Sequence, residues 1–214
     1  MSEDFVQKVR AGLARLRASD PDLTLFGAAA HGYQLHPPAT EREVVAFETA
    51  HGVVLPASYR RFLLELGNGG AGPHYGLFPL GLWDGRGQGL EPWGEVGAGV
   101  LRDPFPHRAH WNLPAERLEP PELEDEDAEE AWQIALERDY WDVALIGGAF
   151  PIAHQGCAVR DLLVVTGPRR GHIWVDERAS YEGIRPEFTG DGGPLAFEGW
   201  YLRWLDEAAQ AVGS

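Results

Sequence analysis

Cysteine is almost absent from this sequence: Cys157 is the single thiol in 214 residues. That excludes an intrachain disulfide and a cysteine-based metal cluster, and it fits a reducing compartment. Long apolar runs are missing as well. The long uncharged stretches Leu23 to Thr40 and Val143 to Val159 are broken by prolines, histidines and glycines, so neither reads as a membrane span. The N-terminus, MSEDFVQKVR, carries acid where a secretory signal carries base; the expectation is a soluble, cytoplasmic protein. Basic residues are scarce, with 18 Lys and Arg against 33 Asp and Glu and a formal net charge of -15. Nucleic acid and anionic membranes both favour basic patches, so this balance argues against either as a partner and toward a basic protein.

What is present is unevenly distributed. Glu116 to Glu130 (ERLEPPELEDEDAEE) holds nine acids and one arginine, which leaves the remainder only mildly acidic. A chain of this length suits one large domain or two small ones, and a domain near this size buries roughly 70% of the surface its unfolded chain exposes. Phe5, Val9, Leu13 and Leu16 recur at helical spacing before Asp20-Pro21, which predicts a first helix. Thr40 with Glu43 forms a capping box for a second, from about Glu41 to His51, with Val44, Phe47 and His51 on one face and Gly52 beyond it. Pro56 suits the first turn of a third, whose Tyr59, Phe62, Leu63 and Leu66 share a face.

The run Gly67-Asn68-Gly69-Gly70-Ala71-Gly72-Pro73 follows that third helix. Phosphate loops lie between a strand and the start of a helix, where N–H groups converge. Here carbonyls converge, so the run reads as a helix stop and sharp reversal, with Gly67 or Asn68 left-handed at the stop and positive φ at Gly69 or Gly70. Residues 81–115 are rich in glycine, proline and tryptophan and read as loop with one short strand. Trp132, Ala135, Leu136 and Tyr140 predict a fourth helix. Strands are expected at Val143 to Ile146, Arg160 to Thr166 and His172 to Asp176, the last two joined by Gly167 to Gly171 in a hairpin. Phe197, Trp200, Tyr201, Trp204, Leu205 and Ala208 predict a closing amphipathic helix whose aromatics belong to one continuous core. The resulting class is α+β: a helical N-terminal part, an antiparallel meander and a C-terminal helix.

Features that could carry chemistry have plainer readings. His107 and His110 offer two ligands in a proline-bearing loop with no third, and read as solvated. Cys157 with His154 reads as a buried, inert thiol rather than a nucleophile and base. Arg169-Arg170 at a hairpin tip reads as solvated. No catalytic residue, metal site or cofactor is expected. Only the acidic segment carries a functional reading as strong as its plain one, a solvated loop.

The pieces HGYQLHPP, Phe47-Glu48, LPASYRRFLLELGNGGAGPHYGL, the later GCA followed by LLVVTGPRRGHIWVD, and FEGWYLRWLD together resemble the SUKH superfamily. That group is named partly after a yeast regulator of cell-wall synthesis and includes many bacterial immunity proteins against polymorphic toxins. The likeness spans nearly the whole chain, as a single SUKH-like domain over 1–214 with a loop region at about 81–115 and an acidic insert at about 116–130. Two departures stand out: Gly156-Cys157-Ala158 replaces the Gly-Cys-Gly often seen, and the acidic insert is extra. The resemblance implies a non-catalytic protein-binding module, an immunity protein that blocks a toxin such as a basic nuclease or deaminase; the alternative is an intracellular regulator or scaffold of the same fold. Within its motif, Leu55, Pro56, Tyr59, Phe62, Leu63, Asn68, Gly69, Gly70, Gly72 and Gly76 are expected to be structural. Partner contacts are expected from Tyr75, Trp83 and Trp93 as aromatic anchors and from Glu122, Glu124, Asp125, Glu126, Asp127 and Glu129 as carboxylates that stand in for phosphates in a toxin's groove.

Overall fold

The computed structural model describes residues 3–83, 90–93, 98–121 and 126–213. Four helices come first: α1 (Glu3–Ser19), α2 (Ala28–His31), α3 (Glu41–His51) and α4 (Ala57–Glu65). A small antiparallel pair, β1 (Leu82–Trp83) with β2 (Glu91–Pro92), precedes α5 (Ala115–Leu118) and α6 (Glu126–Asp139). Then β3 (Ala149–Gly156), β4 (Val159–Val164), β5 (Ile173–Asp176) and β6 (Ile184–Pro186) form an antiparallel meander in sequence order, and α7 (Phe197–Ala211) closes the chain. The class is α+β, with helices at both ends of the sequence around a four-stranded sheet.

Local signals account for the helices. Both halves of the Thr40/Glu43 capping box form, and Gly52 ends α3 in the left-handed region. Tyr59, Phe62 and Leu63 of α4 are buried, as are Leu55 and Pro56 before it. α7 packs against α1 and α4, and the Tyr201 hydroxyl donates to the Ala71 carbonyl at 2.7 Å, tying the last helix to the glycine run.

The expected single core is divided by the sheet. Leu163, Phe150 and Ile173 join α1, α4 and α7 in the larger cluster, whereas Leu162, Val164 and Trp174 join Phe105, Ile146 and Ile184 in a second. The alternation of side chains along β4 sends neighbouring residues into different clusters. Trp204, expected in the core, is only half-buried, while Phe197, Trp200 and Tyr201 are buried.

Several sequence expectations change. Val143–Ile146 is a 3-10 turn, because the Asp142 carboxylate accepts from the Ala144 N–H at 2.8 Å and Gly147 N–H donates back to Ala144. The strand begins instead at Ala149, and β6 adds another. The acidic segment is not simply loop: α5 occupies its start and α6 begins inside it, so α6 is longer than Trp132 to Tyr140 suggested. Trp132 Nε1 donates to the Arg117 carbonyl at 3.0 Å and Arg117 pairs with Asp139, which fastens α5 to α6.

Gly67 and Asn68 do not take the left-handed conformation; Gly69 and Gly70 do, at φ 88° and 96°. Here three segments press together. A Cβ on Gly70 would lie 2.6 Å from the Gln34 carbonyl oxygen, and one on Gly69 would lie 2.8 Å from that of Leu77. Asn68 contributes through its side chain, whose Oδ1 accepts from the Leu80 N–H at 2.8 Å.

Three further residues sit in surroundings unlike those expected. His107 is buried among Phe105, Trp111 and Trp174, with Nε2 2.8 Å from the Leu145 carbonyl. Cys157 is exposed, since it and Ala158 are the two positive-φ residues of a two-residue β3–β4 turn. Arg169 and Arg170 donate to backbone carbonyls of Arg108, Val54 and Leu55 and so hold the hairpin to distant loops.

Candidate functional site

The period-2 alternation of β4 turns Asp161 to the same face as Leu163, toward the helices. Register places it in a row across the sheet with Ala153 on β3, Val175 on β5 and Arg185 on β6. Above this row the sheet and α7 part to leave a cleft of about 450 Å³. Its floor includes Gln155, Asp161, Arg185 and Glu187; α7 gives Trp200, Arg203, Trp204 and Glu207; Phe26 and His74 come from two loops.

Asp161 is only 1% exposed. Its Oδ1 accepts from Gln155 Nε2 at 3.0 Å, but the buried Oδ2 has no hydrogen-bond partner. His74 Nε2 stands 3.9 Å from that oxygen, beyond hydrogen-bonding reach. Burial pushes the Asp161 carboxyl up to about 7, against the Gln155 hydrogen bond. Burial also holds His74 below its ordinary value, against the pull of Glu187.

The charged groups around Asp161 are matched to one another. Arg185 binds both oxygens of Glu177, at 2.6 and 3.1 Å, and Glu187 at 2.6 Å. Arg203 reaches Glu187 at 2.6 Å and Glu207 at 3.9 Å. Burial works against the Glu187 carboxylate, but hydrogen bonds from Arg203 and Arg185 outweigh it and hold its pKa below the usual range.

An aromatic rim stands at the mouth. Phe26 is 66% exposed and Tyr75 44% exposed, their rings edge to face at 5.2 Å. The loop carrying Phe26 is shaped by Asp20, whose carboxylate accepts from Tyr33, the Thr24 hydroxyl and the N–H groups of Thr24 and Leu25. Gly27, at φ 78°, lets that loop touch the next one: a Cβ there would meet the His74 carbonyl oxygen at 1.8 Å. Residues 75–78 then run along the free edge of β3, with Tyr75 and Phe78 N–H groups donating to His154 and Ile152.

The expected partner residues are scattered by this fold. Tyr75 is on the rim, stacked on His154 at 5.5 Å. Arg160, the strand partner of His154, places its guanidinium 5.5 Å over the half-buried Trp83. Trp93 is 6% exposed, packed on Phe47 and Phe150 with its indole N–H donating to the Leu82 carbonyl. Glu122, Glu124 and Asp125 lie outside the described residues; Glu126 opens α6, Asp127 is exposed and Glu129 is half-buried. Of the motif glycines, Gly76 has positive φ, and Gly72 faces Leu77, whose Cδ1 a Cβ would meet at 1.8 Å. Sequence reasoning missed Phe26, His74, Asp161, Glu187 and Arg203. The available signal was Asp161 itself, a charge directly before the buried run Leu162 to Val165.

Among the described residues no group of three or more His, Cys, Asp and Glu side chains could hold a metal ion. None of the described helices is long and apolar enough to cross a membrane. Comparison with curated proteins and with solved structures gave no match. A family model does match, over residues 38–188, which include the capping box, the glycine run, the rim residue Tyr75 and the whole meander. The chain therefore belongs to the SMI1 / KNR4 family (SUKH-1).

Proposed function

We propose that this chain neutralises a toxin by binding it directly, with the cleft and its aromatic rim as the binding face. The observation that carries the reading is the exposed pair Phe26 and Tyr75 beside a polar cleft. Large aromatics set at the edge of a concavity are the side chains that most often dominate a protein interface. Membership in a family that includes toxin-immunity proteins supports the role. The net charge of -15 supports a basic partner, such as a nuclease or deaminase domain whose groove must attract phosphate. In this reading the acidic segment from Glu116 to Glu130 speeds encounter and the rim supplies the anchor.

The test uses Phe26→Ala/Tyr75→Ala, a double variant whose exposed positions spare the core. The partner is captured from the native cell with the wild-type chain, then expressed in a sensitive host alone or with either form. Wild type should restore growth and the double variant should not. A captured partner that is harmless to the host, or protection that survives both substitutions, contradicts the proposal; a harmless regulatory partner would move the chain to the regulatory class.

A further inference from the structure

Asp161 Oδ2 is buried in the wall of a cleft, with no hydrogen bond to it from the protein. Leaving an acceptor in that state is costly unless something that enters the cleft satisfies it. We propose that the cleft takes a cationic side chain, an arginine or lysine presented by the protein partner, whose head group donates to Asp161 Oδ2 while its stem lies along Trp204 and Phe26. The proposal rests on the partner-binding reading and names what the partner brings to that face.

The charges in the cleft favour a cation over an anion. Arg185 is held by Glu177 and Glu187, and Arg203 by Glu187, Glu207 and the Phe188 carbonyl. An entering anion would have to compete with these carboxylates, whereas an entering cation meets an acceptor that nothing else engages. His74 does not fill that role, since its Nε2 is 3.9 Å away and burial favours its neutral form. Trp204 and Phe26 provide apolar and π surface on which a lysine stem or a guanidinium plane rests favourably. At about 450 Å³ the cleft has the size of a small-ligand site, enough for one long side chain and part of its backbone.

Binding should also be linked to protons. The cation pairs with the ionised carboxylate, and burial has pushed that carboxyl up to about 7, so entry releases the Asp161 proton. The titratable and charged groups that face it are His74 from the 73–76 turn, Arg185 and Glu187 from the β6 side, and Arg203 from α7. Protonation of His74 at low pH would repel the cation and act in the same direction. Affinity is therefore expected to be about tenfold higher at pH 8 than at pH 6, as the ionised fraction rises.

The experiment titrates the whole chain with capped Gly-Arg-Gly, Gly-Lys-Gly and Gly-norleucine-Gly peptides, and with free arginine, by calorimetry or NMR at pH 6 and pH 8. The cationic peptides should bind at pH 8, weaken about tenfold at pH 6, and weaken about tenfold or more in Asp161→Asn, which retains the shape of the side chain. Equal binding of the norleucine peptide, or unchanged binding in Asp161→Asn, overturns the proposal. If that variant does not fold, the charge and pH comparisons in the wild type decide. Tighter binding of free arginine than of capped peptide would overturn the assignment to a partner's side chain in favour of a small free amine. If the peptides fail while Phe26→Ala/Tyr75→Ala still loses the partner, this inference falls and the proposed function stands; if the peptides bind and the captured partner is harmless, the reverse holds.

Discussion

Asp161 and Asp20 are both buried carboxylates, and their surroundings drive them in opposite directions. Asp20 accepts hydrogen bonds, first from the Tyr33 hydroxyl and then from Thr24 and Leu25, which hold its pKa down at about 2. Its folded pKa is below the unfolded value of about 3.9, so its contribution is present above that value and lost as pH falls toward 2. Asp161 is raised to about 7 by burial. Its contribution is full below the unfolded value and is lost as pH rises through 7. The wild-type chain should therefore lose stability relative to Asp161→Asn between pH 5 and pH 8, measured as urea midpoints of both proteins at each pH. Asp20→Asn should instead narrow the difference in stability between pH 5 and pH 2.5. Arg178 poses a different residue-scale case. It is buried, grips both oxygens of Asp176 at 2.7 and 2.8 Å, and donates to the Tyr140 carbonyl. Arg178→Ala would leave the Asp176 carboxylate without its charged partner, and a loss of about 3 to 5 kcal/mol in denaturant-derived stability is expected.

At the scale of elements, the glycine run is a crossing point rather than a ligand loop. Gly70 bridges to Leu35 on one side and Leu77 on the other, and Leu77 bridges to Ala153 at the edge of the sheet. Gly70→Ala adds a Cβ 2.6 Å from a carbonyl oxygen at positive φ, so it should cost more than about 1 kcal/mol, seen as a lower denaturant midpoint. On α7, Trp200→Ala should cost about 3 to 5 kcal/mol and the half-buried Trp204→Ala clearly less, by the same measurement. The helices α1, α3, α4 and α7 were legible in the sequence because their signals are local, namely the Thr40/Glu43 box and the 3.6-residue spacing, whereas the four-residue α2 and α5 are too short to show a period. β3 was not. It contains Pro151, and its first five residues are all buried, so it has no alternation to read. Val143–Ile146 shows the reverse, an apolar run with strand composition that one Asp142 cap converts into a 3-10 turn.

For the molecule as a whole, the cleft was illegible because its parts are remote in sequence: Phe26, His74, Asp161, Glu187 and Arg203 meet only once α7 lies over the sheet. Tyr75, which follows the glycine run, is exposed on the rim, whereas Trp93, from the glycine- and tryptophan-rich loop region, is buried on Phe47 and Phe150. The uneven charge acts at this scale too. Neutral amides at Glu124, Asp125, Glu126 and Asp127 should slow association with a basic partner, within the range of about 10 to 1,000-fold that steering supplies, and flatten its salt dependence. Stopped-flow association at several salt concentrations checks this. The central claim, that the partner docks on the cleft and its rim, is tested most directly by hydrogen–deuterium exchange of the chain with and without its captured partner. Protection is predicted in residues 23–27 and 73–78 and on the cleft side of α7; protection confined to α6, with the rim unchanged, would contradict it.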